Sequence, residues 1–257
     1  NKVVRTVTSN SANYLPSTND FSPGVVDLSF CLDAVRKSLT DNDFKETLRL
    51  KYFSEHSQSI PTPSERKTSQ LKLAGNVLIG LRNYKLVEFG NLELTEIGMQ
   101  ILGASDCDAK KIFGKHLIDN LCGNEILHAM ESLSKRQISK RNKAELSRSL
   151  SQLGVKTKQG KLIPENTTDH TKFANWLKWC GILNVNDQIN EENHLNFVGK
   201  PSGLVSSLWY LTDEQFLFLK YVWQRHISSK QMVFLVKELI SDSQLTLGKF
   251  ITKPDQI

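Results

Sequence analysis

Lysine and arginine side chains, which neutralise phosphates, are concentrated in one short part of this sequence. Residues 134–161, SKRQISKRNKAELSRSLSQLGVKTKQGK, contain nine Lys or Arg and one Glu, a net charge of +8. Because the whole chain carries +6, the remaining residues carry −2. Such a segment can bind a nucleic-acid backbone by releasing its counterions, whereas the alternative is a solvated helix face. The scarcity of acidic residues within the segment favours phosphate binding. This basic cluster comprises Lys135, Arg136, Lys140, Arg141, Lys143, Arg148, Lys156, Lys158 and Lys161.

Recognition of bases requires side chains that reach the hydrogen-bonding edges in the major groove. Two predicted helix starts supply polar side chains of this kind. Those at the first start are Arg66, Lys67, Ser69 and Gln70, and those at the second are Thr168, His170, Lys172 and Asn175. Capping of the helix explains Thr168 equally well. Asn175 lies one turn further along and faces either the groove or the following hairpin.

The residue types that carry catalysis or bind metals form no recognisable pattern. The four cysteines contain no C-x-x-C pair, as a zinc site would require, and the six histidines share no spacing. The sequence also lacks a G-x-S-x-G elbow, a phosphate-binding glycine loop and an H-E-x-x-H motif. The acidic fragments at 43–45 and 108–111 lie in helical context. We therefore predict no catalytic site, no metal site and no cofactor, with reduced cysteines in a cytoplasmic protein.

The spacing of apolar residues predicts the helices that position these side chains. Three helices are expected in the first hundred residues, with Asp41 and Ser64 as the N-caps of the second and third. Their predicted ranges are 25–38, 41–56 and 64–83.

A short hairpin is predicted to follow the third helix. LVEF (86–89) and LEL (92–94) indicate two strands around the Gly90-Asn91 turn, and Thr95 is placed to cap a helix ending at Leu102. Three helices, a hairpin and a further helix are the layout of a winged helix-turn-helix.

A shift of 96 residues aligns this pattern with a second one. Val77 aligns with Phe173, Leu81 with Leu177, and Leu86-Val87 with Ile182-Leu183. We therefore predict that 169–184 forms the third helix and first wing strand of a second unit. In that unit the expected core residues are Trp176, Leu177 and Ile182, and Trp179 lies on a packing face. Further helices are predicted over 108–121, 124–133 and 140–154, with Gly154 ending the last.

The predicted fold class is mainly α with short β-hairpins (α+β), built from tandem winged helix-turn-helix units. An extended N-terminal arm (1–24) precedes the first unit (25–105) and the second unit with its basic helix (106–200). The C-terminal segment (201–257) contains predicted helices at 212–226 and 229–242, which either start a third unit or form a helical lid. Whether Lys2 and Arg5 of the arm enter a minor groove stays open. The composition, 39% hydrophobic and 23% charged, is that of a globular protein with no membrane partner.

The segments AGNVLIGLRNYKLVEFGNLELTEIG and FANWLKWCGILNVNDQIN resemble the helix–wing junctions of the DNA-recognition region of type IIS restriction endonucleases. The resemblance is one of pattern and covers residues 25–200. It implies sequence-specific binding of double-stranded DNA, with a cleavage domain that is separate or missing from this chain. The alternatives are a winged-helix protein-interaction module and a regulator of transcription or replication. The oligomeric state is left open.

Overall fold

The computed structural model describes residues 14–199, which are mainly helical. The first helices are α1 (Leu28–Lys37), α2 (Asp41–Leu48), which continues into a π-helical turn (Arg49–Phe53), and α3 (Pro63–Asn83). Helix α2 begins at the predicted residue, but Thr40 is its N-cap and forms a capping box with Asp43. Thr62, not Ser64, is the N-cap of α3, because Pro63 fits the first helical position, where no backbone donor is needed.

The predicted hairpin and the helix after it are both present. Val87 and Leu94 form an antiparallel bridge, which is shorter than the two expected strands. Helix α4 (Glu96–Leu102) follows, and the Thr95 hydroxyl accepts a hydrogen bond from the backbone N–H of Gly98 at 3.2 Å. The expected order of helices and hairpin is therefore observed over residues 28–102, called the first repeat below.

The same order follows in the second half of the described residues. Helix α5 (Asp106–Asp119) connects the first repeat to residues 123–198, called the second repeat. Leu183 and Ile189 form its antiparallel bridge, and Gly154 adopts a left-handed conformation (φ 81°) just beyond its second helix. The helices of the second repeat are α6 (Gly123–Lys135), α7 (Lys143–Gln152), α8 (Asp169–Trp179) and α9 (Glu191–Val198).

The correspondence between the repeats extends to individual backbone hydrogen bonds. The N–H of Leu86 donates to the carbonyl of Leu81 at 2.9 Å, and 96 residues later Ile182 donates to Leu177 at the same distance. In the first repeat, the N–H of Thr95 just before α4 donates to the carbonyl of Leu86. In the second repeat, the N–H of Asn190 just before the last helix donates to the carbonyl of Ile182. The offset of 96 holds from the end of the third helix through the first strand of the hairpin, and it becomes 95 at the last helix because the second hairpin is one residue shorter.

Residues 14–21, called the strap, are packed into the fold. Strand β1 (Tyr14–Leu15) pairs in parallel with β2 (Lys156–Thr157) to form a two-stranded sheet. Further along the strap, the carbonyl of Ser17 accepts a hydrogen bond from the Asn83 side chain of α3 at 3.0 Å. Asp169 of α8 accepts hydrogen bonds from Thr18 at 3.0 and 3.1 Å. The strap therefore contacts the third helix of both repeats.

Aromatic side chains join the strap and the repeats in one core. The ring of Phe21 lies 5.2 Å from Tyr84 and 4.7 Å from Trp176, and Tyr84 stacks on Phe173 at 5.6 Å. Phe113 of α5 completes the cluster at 5.3 Å from Trp176. These five side chains have 0% exposure, so burial of aromatic surface holds the two repeats in a single compact unit.

Several predictions lie outside the described residues, namely Lys2, Arg5 and the helices at 212–226 and 229–242. Among residues 14–199, none of the helices is both long and apolar enough to cross a membrane.

Candidate nucleic-acid interface

The first turns of α3 keep one predicted contact residue open to solvent. Lys67 is exposed, and its ammonium group lies 3.2 Å from the carboxylate of Glu46. The guanidinium of Arg66 instead folds back and donates to the carbonyl of Ile60 at 2.9 and 3.1 Å. Ser69 is half-buried and shares a 2.9 Å hydrogen bond with the hydroxyl of Ser57.

The expected position of Gln70 on the binding surface is wrong. Its side chain is 3% exposed. Its amide nitrogen donates to the carbonyls of Ser54 and His56 at 2.8 and 2.9 Å, and its oxygen accepts from Arg49 at 3.1 Å. Gln70 thus satisfies backbone groups of the loop before α3, which explains why a polar residue is buried there.

The start of α8 is covered by the strap. His170 is fully buried, so the prediction that it faces a DNA groove is wrong. The Lys172 ammonium group donates to the carbonyl of Asn19, which holds this side chain against the strap. Thr168 and Asn175 are exposed, and Thr168 is the N-cap position of α8 without a capping hydrogen bond from its side chain.

Acidic residues from outside the basic cluster neutralise much of it. Most of these partners precede or follow residues 134–161, so the expectation that few acidic partners are present is corrected. The ion pairs are Lys135–Glu131 (3.3 Å), Arg136–Glu145 (3.8 Å), Arg141–Asp187 (3.4 Å), Arg148–Glu145 (2.7 Å) and Arg148–Glu165 (2.9 Å). Lys140 donates to the carbonyl of Asp187 at 2.7 Å, which fixes the loop before α7 to the second hairpin.

Four lysines of the basic cluster remain exposed and have no ion pair within the described part of the chain: Lys143, Lys156, Lys158 and Lys161. Lys143 is the first residue of α7, Lys156 is in β2, and the other two lie in the tight turn that follows β2. In that turn the N–H of Thr157 donates to the carbonyl of Lys161 at 2.8 Å, and Gly160 has a positive φ of 74°. The hydrogen bond and the left-handed glycine define the backbone conformation of this turn.

A contact between the repeats was not foreseen from the sequence. The ammonium group of Lys158 lies 3.7 Å from the ring centroid of Phe89, at the tip of the first hairpin, and 3.3 Å from the side-chain oxygen of Asn83. The turn after β2 therefore adjoins the first hairpin. The turn predicted at Gly90 places Phe89 next to the tip of the hairpin. Nothing in the sequence around either residue indicates that Phe89 contacts Lys158.

Buried titratable groups lie in the core. Burial lowers the pKa of His116, whose Nε2 lies 2.8 Å from the carbonyl of Tyr84, and it also lowers the pKa of His170. All four cysteines are free, and burial raises the thiol pKa of three of them: Cys31, Cys122 and Cys180. Low reactivity follows for these three thiols.

Comparison with known proteins finds no match, whether with protein-family models, with curated proteins or with solved structures.

Proposed function

We propose that this chain binds double-stranded DNA in a sequence-specific manner, as tandem winged-helix units do in the recognition part of a restriction endonuclease or a related DNA-processing protein. The observation that carries the proposal is the repeated unit of three helices, hairpin and helix, with exposed lysines concentrated in and beside its second copy. Exposed lysines supply the phosphate contacts that dominate affinity, and a helix with free polar side chains supplies base contacts.

The two repeats contribute differently in this proposal. Lys67 on α3 is exposed, and in the described residues DNA would compete for it only with the carboxylate of Glu46. Helix α3 therefore supplies the base contacts of the first repeat. At α8 the strap covers Lys172, and its remaining exposed candidates are Thr168 and Asn175. The second repeat therefore contributes mainly phosphate contacts through Lys143, Lys156 and Lys161.

A charge-reversal experiment tests the phosphate contacts. Lys156→Glu with Lys161→Glu, called the turn variant, removes the two lysines that flank the turn after β2 without breaking an ion pair in the described residues. The matched control, Lys111→Glu with Lys115→Glu on α5, changes the net charge equally and breaks only exposed pairs with Asp108 and Asp119. Affinity for a duplex is measured by fluorescence anisotropy at several salt concentrations.

We expect the turn variant to bind at least about ten-fold more weakly, with a plot of log affinity against log salt that is shallower by roughly 1 to 2. The α5 variant is expected to bind like the wild type, apart from a small general effect of net charge. Equal losses in the two variants would show that the turn is not a binding surface. Reversal at Lys140 or Arg141 is less informative, because these side chains also hold Asp187.

A groove favours a protein-interaction module as the second candidate function. It has a volume of about 630 Å³ and lies between α1, the first hairpin and α4. Its apolar lining comprises Val35, Leu92, Leu94, Met99 and Leu102. Sizing of the protein in high salt separates the candidates, because a defined oligomer without affinity for DNA would favour the interaction module.

A further inference from the structure

Each repeat exposes one apolar side chain at the tip of its hairpin. Phe89 is 56% exposed, and Val185, which follows it by the repeat offset of 96 residues, is 81% exposed. Phe89 is also the only aromatic side chain in the exposed class among residues 14–199. Single exposed apolar residues are common on protein surfaces and need no explanation alone. Here, however, the exposure recurs at the same position of a duplicated unit.

In each repeat, a cationic side chain of the third helix contacts the hairpin that follows it. Arg82 of α3 donates to the carbonyls of Glu88 and Asn91 at 3.2 and 3.3 Å, on either side of the first tip. Lys178 of α8, again 96 residues later, lies 2.6 Å from the carboxylate of Asp187 in the second hairpin. The tips are therefore held on the helices that precede them, so an apolar side chain is presented in a fixed position at little entropic cost.

Positive charge lies beside the first tip. The Lys158 ammonium group sits over one side of the Phe89 ring, and the turn that contains Lys158 is flanked by Lys156 of β2 and by Lys161. Two exposed carboxylates, Glu88 and Glu93, belong to the hairpin itself. Because these acids repel phosphates, the phosphate contacts near the tip come from the lysines of the turn.

We propose that Phe89 is a wedge that inserts between neighbouring base pairs of duplex DNA from the minor groove and bends the duplex. Apolar side chains, phenylalanine among them, act in this way in proteins that kink DNA by about 20–90°. The lysines of the turn bind the flanking phosphates and hold the wedge in register. The smaller Val185 occupies the equivalent position and contacts the DNA surface without separating base pairs. This inference rests on the proposed DNA-binding function.

The test uses the full chain and the duplex that it retains best from a randomised pool, labelled with a fluorophore at each end. Energy transfer between the ends reports bending, and anisotropy reports affinity. The variants are Phe89→Ala, the conservative Phe89→Leu, and the control Leu39→Ala, which removes an apolar side chain of 93% exposure from the loop after α1. Thermal unfolding by circular dichroism verifies that each variant is folded.

The wild type is expected to bring the ends of the duplex closer together. Phe89→Ala should bind roughly ten-fold more weakly and lose most of the bend, because base–aromatic contacts contribute this much to affinity. Its salt dependence should be unchanged, since no phosphate contact is removed. Phe89→Leu should retain part of the bend, because leucine also acts as a wedge, and Leu39→Ala should match the wild type.

Normal affinity and bending by Phe89→Ala would overturn the wedge while leaving the proposed DNA binding intact. Failure of the wild type to retain any duplex would overturn both. A second assay measures co-sedimentation with phosphatidylserine vesicles. Loss of vesicle binding in Phe89→Ala, together with unchanged duplex binding, would assign the tip to a membrane surface and refute the inference.

Discussion

Replacement of Gly80 by alanine tests whether the strap is wedged against α3. Within a helix this change normally stabilises a protein by about 1 kcal/mol. At Gly80, however, the added methyl group would overlap the Cβ atom of Phe21 and lie 3.2 Å from the carbonyl oxygen of Thr18. Phe21 has no exposed surface, and overfilling a packed core costs about 1–3 kcal/mol. Because the overlap involves an atom fixed to the backbone, we expect the upper end of this range and a net destabilisation of about 2 kcal/mol.

A second glycine of the same helix provides the control. A methyl group at Gly75 would lie 3.5 Å from Cε of Lys45, which is an ordinary contact. Gly75→Ala is therefore expected to stabilise the protein by about 0.5–1 kcal/mol. Guanidinium unfolding followed by tryptophan fluorescence measures both variants, and it is sensitive to the strap because the indole N–H of Trp176 donates to the carbonyl of Phe21 at 3.2 Å.

A Gly80→Ala variant as stable as Gly75→Ala would show that Phe21 is not packed tightly against α3. A double-mutant cycle with Phe21→Gly sharpens the test, because it removes the atom that the new methyl group overlaps. In the Phe21→Gly background, alanine at position 80 should cost much less than in the wild type or should stabilise the protein.

Three further predictions concern the core and the strap. Because burial lowers the pKa of His116 and His170, the unfolded chain binds protons more readily, and stability should fall as the pH drops below about 6.5, by at most about 1.4 kcal/mol per pH unit for each histidine. Guanidinium midpoints at pH 7.5 and 5.5 measure this, and a His116→Gln/His170→Gln variant should show a smaller change. Asp169→Ala removes both hydrogen bonds to Thr18, so amide hydrogen exchange in residues 14–21 should accelerate at least about ten-fold, and equal rates would show that Asp169 does not hold the strap. A thiol reagent should label one cysteine in the native protein and four after unfolding, because only Cys107 is exposed, and rapid labelling of a second native thiol would contradict the burial of Cys31, Cys122 and Cys180.

Periodic patterns in the sequence were sufficient to predict the helices and the repeat. The offset of 96 residues follows from apolar residues such as Leu81 and Leu177, which face the core in both repeats and have 0% exposure. Trp176 and Ile182 are likewise buried as predicted. These predictions succeeded because each depends on spacing within one element, and the burial of an apolar helix face dominates its energetics.

Contacts between distant segments were not predictable in the same way. The strap contains Ser, Thr, Asn and Asp and was expected to be an extended arm, yet Phe21 anchors it between the two repeats. The partner of that anchor is Gly80, whose missing side chain gives the ring its space. The sequence around Phe21 does not predict its contact with Gly80, because the two residues are far apart in the chain and meet only in the tertiary structure.

The candidate site shows the same limit. Exposure of Lys67 and Lys156 followed from their predicted positions near a helix start and in a loop. Gln70 and His170 were expected to be exposed for the same reason, but both are buried: Gln70 bonds to the loop before α3, and His170 lies beside the backbone of Lys143 in α7. Similarly, Glu165 and Asp187 neutralise arginines of the basic cluster from outside its sequence range. Local charge counts therefore overestimated the positive charge that is available to DNA.

Selection from a randomised pool of duplex DNA at near-physiological salt directly tests the proposed sequence-specific binding. The protein is mixed with the pool, the retained duplexes are sequenced, and Lys67→Ala is carried through the same selection. We expect enrichment of a short site, with a changed base preference in Lys67→Ala because α3 supplies the base contacts in the proposed function. Retention without any enrichment would contradict sequence-specific recognition, and the absence of retained duplexes would contradict DNA binding itself.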